Sequence, residues 1–218
     1  VYLEIPTDLV FASVEEETTN FPANCRTDSI PFGDPALIDA AAELLVKAER
    51  PAVLVDDGAR FGIGDHAGAV AALSDYLRMP VGVTGSSCRG LFGDEYENPL
   101  LKMNMAGMAD VVLALGCRFD FRLGMGRMIP GDAKVIQVHT DMRQIGFNVR
   151  TDIGIVGGAG PVAAQLLEAV KSKRGEPVET SWTGPPMKRD ASTLPEPYHA
   201  KEIPVHPGRC AGEVAGFL

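Results

Sequence analysis

The chain is 218 residues long, 45% hydrophobic and 22% charged, with a formal net charge of −9, which is the make-up of an ordinary globular protein with room for one full domain and its extensions. The acidic balance, with no basic stripe to offset it, excludes a nucleic-acid or anionic-membrane surface, and no apolar run approaches the roughly 20 residues of a membrane-spanning helix. Nothing at the start reads as a signal peptide. Cys25, Cys88, Cys117 and Cys210 and the four histidines are scattered without ligand spacing, so the thiols read as those of a reduced cytoplasmic protein and no metal site is expected.

Val1–Pro6 reads as a short strand, and residues 6–33, with Pro6, Pro22 and Pro31 and no hydrophobic period, read as a linker. Asp34-Pro35 predicts a helix start, the aspartate as N-cap and the proline in the first turn, with Leu37, Ala41, Leu44, Leu45 and Ala48 as its apolar stripe. Pro51–Val55 is a predicted strand closed by Asp56-Asp57-Gly58-Ala59-Arg60. Asp65 is the expected cap of a second helix that runs to about Arg78 with Val70, Leu73 and Leu77 inward. Pro80–Thr84 is the next strand, followed by the glycine-rich Gly85–Gly90.

Val111–Leu115 and Val135–Val138 are the organising strands, apolar without alternation as strands buried on both faces are. Asp141 predicts the cap of a short helix through Ile145, Ile153–Val156 a last strand, and residues from Gly160 to about Lys173 a last helix. Residues 174–207 return to proline-rich linker, and Glu213–Leu218 reads as part of a further helix, so that both ends look cut, as in an excised middle domain. Alternating strands and helices imply a parallel α/β sheet with right-handed crossovers and helices on both faces. Between Thr84 and Val111 the expected crossover helix has no clear counterpart; Met103, Met105 and Met108 stand among loop signals there.

In such sheets ligands sit beyond the carboxyl ends of the strands, and the chemistry-bearing residues follow that rule. Gly58 lets a ligand approach the backbone closely and Arg60 can pair with phosphate, although a plain turn explains Asp57–Arg60 as well. Thr84-Gly85-Ser86 is similarly ambiguous. Arg118, Asp120 and Arg122 alternate just past a buried strand, where they can clamp a ribose-phosphate and hold one another, or form a surface ion-pair cluster. Asp141 can accept from ribose hydroxyls or cap a helix. His139 reads as a packed side chain. There is no G-x-G-x-x-G, no P-loop lysine and no catalytic triad or carboxylate pair, so the residues offer binding features without catalytic machinery.

Ala48–Pro51, Gly58-Ala59-Arg60, Thr84-Gly85, the run Ala109–Asp120 and Val135–Val138 together resemble the thiamine-diphosphate-dependent enzymes of the acetolactate synthase, 2-hydroxyacyl-CoA lyase and benzaldehyde lyase group. The strongest signal is Gly116-Cys117-Arg118-Phe119-Asp120-Phe121-Arg122 with Asp141 and Ile145-Gly146 downstream. The resemblance implies a central domain over 34–173, a Rossmann-like parallel sheet of about six strands. It implies that 1–33 is the end of a preceding pyrimidine-binding domain with its linker, and 174–218 a linker and the opening of a diphosphate-binding domain.

The parent enzyme is then expected to use thiamine diphosphate and Mg2+, held outside this chain, to act as a C–C lyase or transferase, and to assemble as a homodimer or homotetramer from its remaining domains. Central domains of this group hold FAD, ADP or a CoA nucleotide, or nothing, and the implied positions here are Gly58, Ala59, Arg60, Thr84, Gly85, Gly116, Arg118, Asp120, Arg122, Asp141 and Ile145. Where FAD-binding members often carry a glycine triplet this chain has Asp56-Asp57-Gly58, and a carboxylate opposes a diphosphate there. No Gly-Asp-Gly occurs in the chain, so it is expected to be inactive alone. The rival reading is a stand-alone nucleotide-binding or structural module, and a nicotinamide-dependent oxidoreductase ranks below both because the glycine fingerprint is missing.

Overall fold

The computed structural model describes residues 2–24, 29, 31–60, 66–85, 88, 90, 92, 108–179, 182, 201 and 203–217. Five strands, β1 (Pro51–Val55), β2 (Val81–Val83), β3 (Val111–Leu115), β4 (Lys134–His139) and β5 (Ile153–Val156), form one sheet in the order β2-β1-β3-β4-β5. Every pairing is parallel, and the register lines up Val81, Val53, Leu113, Ile136 and Ile153 in one row across the sheet. After β2 the chain passes back over β1 to form β3, so the topological switch point lies between β1 and β3. About six strands were expected; the described residues hold five.

The two faces of the sheet are covered differently. Val53, Val55, Val81, Val83, Leu113, Leu115, Ile136, Val138 and Ile155 face a core closed by three helices, α1 (Pro35–Lys47), α2 (His66–Leu77) and α3 (Ala159–Arg174). The intervening row is Gly82, Leu54, Ala114, Gln137 and Gly154, small or polar apart from Leu54. Ala52, Leu54, Val112 and Ala114 on that side pack against Cys117, Phe119 and Leu123, from the 3-10 segment Phe121–Gly126 and the residues leading into it. Helical cover of the second face is thus a 3-10 turn among the described residues rather than an α-helix. Right-handed crossovers explain the division: β1 to β2 runs one way across the sheet, and β3 to β4 to β5 the other, so their connections fall on opposite faces.

Several local expectations hold. Asp34 accepts from the Ala36 and Leu37 N–H groups at 2.9 and 3.3 Å, and Pro35 occupies the first turn of α1. Val70, Leu73 and Leu77 are inward on α2. The residues at 174–176 end α3 through Gly175 at φ +79°, and Pro207–Phe217 forms a fourth helix, α4.

Two expectations are corrected. Residues 2–6 form no strand; they have no partner strand among the described residues, and Thr7–Val10 is a single exposed helical turn. The stripe of α1 is buried at Ala41 and Leu45 as expected, with Leu44 and Ala48 packed at its edge, but Ile38 and Ala42 belong to it and Leu37 is exposed. Asp57–Arg60 is a single helical turn, in keeping with the plain-turn reading of that segment. The expected cap at Asp65 and the connection after Gly85, including Ser86, Met103 and Met105, lie outside the described residues.

Candidate functional site

The carboxyl ends of β1, β2, β3 and β4 lie along one edge of the parallel sheet, and the anchor there is a residue that the sequence reading named but did not place in the site. Asp56 follows β1 directly and is 1% exposed. Its N–H donates to Leu115 O at 3.2 Å and its carbonyl accepts from Ala59 N–H at 2.8 Å, which winds Asp57–Arg60 into its turn. Its carboxylate accepts from its own neighbour, Asp57 N–H, at 2.8 Å. A buried carboxylate needs charge as well as hydrogen bonds, and Arg122 supplies it. Nη1 and Nη2 of Arg122 donate to the two Asp56 oxygens at 3.2 Å each, the fork geometry that suits a guanidinium.

Arg122 is shared further. It donates from Nε and Nη2 to Asp120 at 3.0–3.2 Å and lies 3.7 Å from Asp57 Oδ2. Asp120 also caps the 3-10 segment by accepting from Arg122 N–H at 2.9 Å. The side-chain hydrogen bond from Arg122 holds the Asp120 carboxyl below its ordinary range, against the opposing effect of burial. The same bond raises the Arg122 guanidinium.

Two glycines bring the β1 and β3 ends together at the switch point. A Cβ on Gly58 would lie 2.7 Å from Gly116 O, and one on Gly116 2.6 Å from Ala59 N. Gly116 has φ +65°, so backbone rests on backbone where no side chain fits. Beside them, Thr84 spends its hydroxyl inside the sheet, donating to Val55 O at 3.2 Å. Burial pushes the Cys117 thiol well up, with the Asp56 charge adding to it, which leaves Cys117 as a packed group without thiolate character. Asp56 and Asp57 carboxylates stand over the bare Cα of Gly85, where a Cβ would lie 2.6 Å from Asp56 Oδ1 and nearer still to Asp57 Oδ1.

At the end of β4, Asp141 accepts from Arg143 N–H at 3.1 Å and from its guanidinium at 2.9–3.2 Å. That pairing brings its carboxyl down to about 2. His139 Nδ1 accepts from Asp141 N–H at 2.9 Å, and burial lowers the imidazole although the Asp141 charge partly opposes this. Gln137, fully buried on the second face, ties the turn to the sheet: it donates to Gln144 O and accepts from Gly146 N–H and the Thr151 hydroxyl at 2.8–2.9 Å.

The structure therefore sorts the expected site residues. Gly58, Gly85, Gly116, Asp120 and Arg122 converge at the switch point. Arg118 is exposed at the end of β3, with its backbone N–H 3.5 Å from Asp56 Oδ2 and with no side-chain ion pair among the described residues. Asp141 is on the adjacent strand end. Arg60 is exposed, Ala59 is buried in the core and Thr84 faces the sheet. Ile145 packs over Gly154 of β5. Asp56, Gln137 and Arg143 were missed; an acidic residue directly after an apolar strand and a glutamine inside one were the signals available. Two described cavities, about 460 Å³ between α1 and α3 and about 230 Å³ beneath residues 125–150, lie elsewhere.

Residues 38–166 match the model of the thiamine pyrophosphate enzyme central domain. The chain is 31% identical over 183 residues to a probable acetolactate synthase large subunit from Methanocaldococcus jannaschii, covering 78% of this chain and 30% of that protein. It is 24% identical over 205 residues to 2-hydroxyacyl-CoA lyase 1 from Mus musculus, covering 92% and 34% respectively. A crystal structure of benzoylformate decarboxylase from Polynucleobacter necessarius aligns with a TM-score of 0.54 at 15% identity over 81% of this chain and 34% of that one, a likeness of fold. The chain thus spans about a third of the length of the proteins it matches.

Proposed function

This chain belongs to the thiamine pyrophosphate enzymes, as a central domain, and on that premise we propose that the whole protein makes or breaks a carbon–carbon bond beside the carbonyl of a 2-keto or 2-hydroxyacyl substrate. The support is the pair of relatives named above as an acetolactate synthase and a 2-hydroxyacyl-CoA lyase. The cofactors of that chemistry are thiamine diphosphate and Mg2+, and the described residues do not fit them. It contains no Gly-Asp-Gly, and the described residues include no group of three or more His, Cys, Asp or Glu that could hold a metal. The thiamine site is assigned to the remaining domains of the protein, with which this one assembles, in a homodimer or homotetramer.

The role proposed for this domain is a rigid scaffold with a nucleotide seat for ADP, a CoA nucleotide or FAD at the carboxyl end of the sheet. The single observation that carries it is the position of Arg118, an exposed guanidinium with no ion pair among the described residues, at a topological switch point floored by bare glycine backbone. Asp141 stands one strand away as an acceptor for ribose hydroxyls. No helix of the described residues is long and apolar enough to cross a membrane, and the cytoplasm is the proposed location, where buried thiols such as Cys88 and Cys117 stay reduced.

Two measurements test the reading. The full-length protein should consume a 2-keto acid only when thiamine diphosphate is supplied; turnover indifferent to it would overturn the assignment. Calorimetry with ADP, coenzyme A and FAD should show saturable binding that Arg118→Ala weakens, and no binding of any of them would reduce the domain to a scaffold.

A further inference from the structure

Independently of the nucleotide reading, we infer that the protein has a second small-molecule site, for a short-chain aliphatic carboxylate, at the amino end of β4. A cavity of about 230 Å³ lies there, between the residues leading into β4 and those leading into β5. Val135, the second residue of β4, borders it, which puts it about 13 Å along the strand from His139 and the carboxyl end of the sheet. Ile129, Pro130, Ala133 and Val149 give the cavity an apolar wall, and three of them, Ile129, Ala133 and Val149, are backed by the core of the second face. The charged side chains that border it, among the described residues, are both cations, Arg127 and Arg150.

Both cations have donors to offer. Arg127 is exposed and its guanidinium makes no ion pair or hydrogen bond among the described residues. Arg150 reaches Asp152 at 3.8 Å, but that carboxylate already accepts from Lys134 Nζ at 2.9 Å and Val135 N–H at 3.0 Å. Two guanidiniums beside an apolar wall suit a ligand with a carboxylate at one end and a hydrocarbon tail at the other; a phosphate ion leaves the wall unused. The volume falls below the roughly 300 Å³ at which drug-sized pockets begin, which limits the tail to a few carbons. The walls are fixed against each other without a ligand: a Cβ on Gly126 would lie 2.5 Å from Asn148 O and 3.1 Å from Val149 Cβ, and Asn148 Nδ2 donates to Phe119 O at 3.1 Å. Met125 and Asn148, one on each wall, have φ of +54° and +63°, a left-handed backbone that non-glycine residues keep where their surroundings hold it, often around ligand sites. With a net charge of −9, diffuse attraction of anions to the chain is weak, so retention of one requires a local site.

The test is calorimetric titration of the 218-residue chain with pentanoate and with inorganic phosphate, repeated on Arg127→Ala and on Ala133→Leu, with circular dichroism to confirm folding. Arg127→Ala removes one exposed cation, and Ala133→Leu puts a larger side chain into the cavity. The expected result is saturable pentanoate binding, with phosphate at least tenfold weaker. Arg127→Ala should weaken pentanoate fivefold or more, and Ala133→Leu tenfold or more. Absence of saturable pentanoate binding to the unmodified chain would overturn the site. Phosphate bound as tightly as pentanoate would also overturn it, because the apolar wall would then contribute nothing. So would unchanged pentanoate affinity in either folded variant, which would place the binding elsewhere. Should Ala133→Leu fail to fold, Arg127→Ala and the comparison of pentanoate with phosphate still decide.

Discussion

Arg122 closes both of its terminal nitrogens onto the carboxylate of Asp56, at 3.2 Å each, across 66 residues of sequence. This fork joins the end of β1 to the 3-10 segment beyond β3, and it gives the carboxyl end of the sheet its shape. Because Asp56 is 1% exposed, removal of its cation leaves a buried charge with backbone donors alone. We expect Arg122→Ala to cost about 3 kcal/mol in urea unfolding. Arg122→Lys should recover part of that, since it restores charge without the fork. In a double-mutant cycle with Asp56→Asn the two losses should fall well short of adding; additive losses would mean the pair is not coupled.

Gly116 and Gly146 have similar left-handed dihedrals, φ +65° and +76°, but different surroundings. A Cβ at Gly116 meets Ala59 N at 2.6 Å and the Gly58 carbonyl carbon at 2.6 Å, whereas nothing lies within 4 Å of one at Gly146. Gly146→Ala should therefore cost only the dihedral penalty, about 1 kcal/mol. Gly116→Ala must also separate two backbone segments and should cost about 3 kcal/mol or more, or fail to fold. Equal melting temperatures for the two variants would contradict the close contact at the switch point.

Arg118 offers the reverse pattern. It is exposed and makes no ion pair among the described residues, so Arg118→Ala should change stability by no more than about 0.5 kcal/mol. Loss of a charge-assisted contact to phosphate should nevertheless weaken ADP binding by roughly tenfold or more. A variant that binds ADP as well as the unmodified chain would take Arg118 out of the site.

The titrating groups beyond β3 and β4 give stability a defined acid limb. Asp141 is held down to about 2 by Arg143, and Asp120 is lowered by Arg122. A carboxylate lowered in the fold lends stability that is complete above its unfolded value of about 3.9 and fades as pH falls toward the folded value. His139, lowered by burial, adds a loss that begins as pH drops below about 6.5, where the unfolded chain takes up a proton first. Thermal melts from pH 8 to 2 should show a shallow decline beginning near neutrality and a steeper one below about pH 4. Asp141→Asn should flatten the lower limb, and His139→Gln the upper.

Local chemistry was sufficient for most of the architecture. Strands β3 and β4 were legible because an apolar run without alternation has no other stable home than a sheet covered on both sides, and α1 announced itself through Asp34-Pro35. Residue type likewise pointed to the strand ends as the binding region, since charges and glycines begin where the apolar runs stop. The end-to-end arrangement of those residues was not legible. Whether Arg118 or Arg122 faces a ligand depends on which of them meets Asp56, and Asp56 is brought into range by the pairing of β1 with β3. Sequence order alone does not specify that pairing, which is long-range and set by packing and crossover direction. The same holds for Ile145, whose place over Gly154 follows from the pairing of β4 with β5, and for Ile38 and Ala42, which enter the buried face of α1 against α3 while Leu37 does not. Hydrophobic period and capping act within a few residues and can be read in one dimension; charge partners and close backbone contacts arise from strand order, which exists only once the chain has folded.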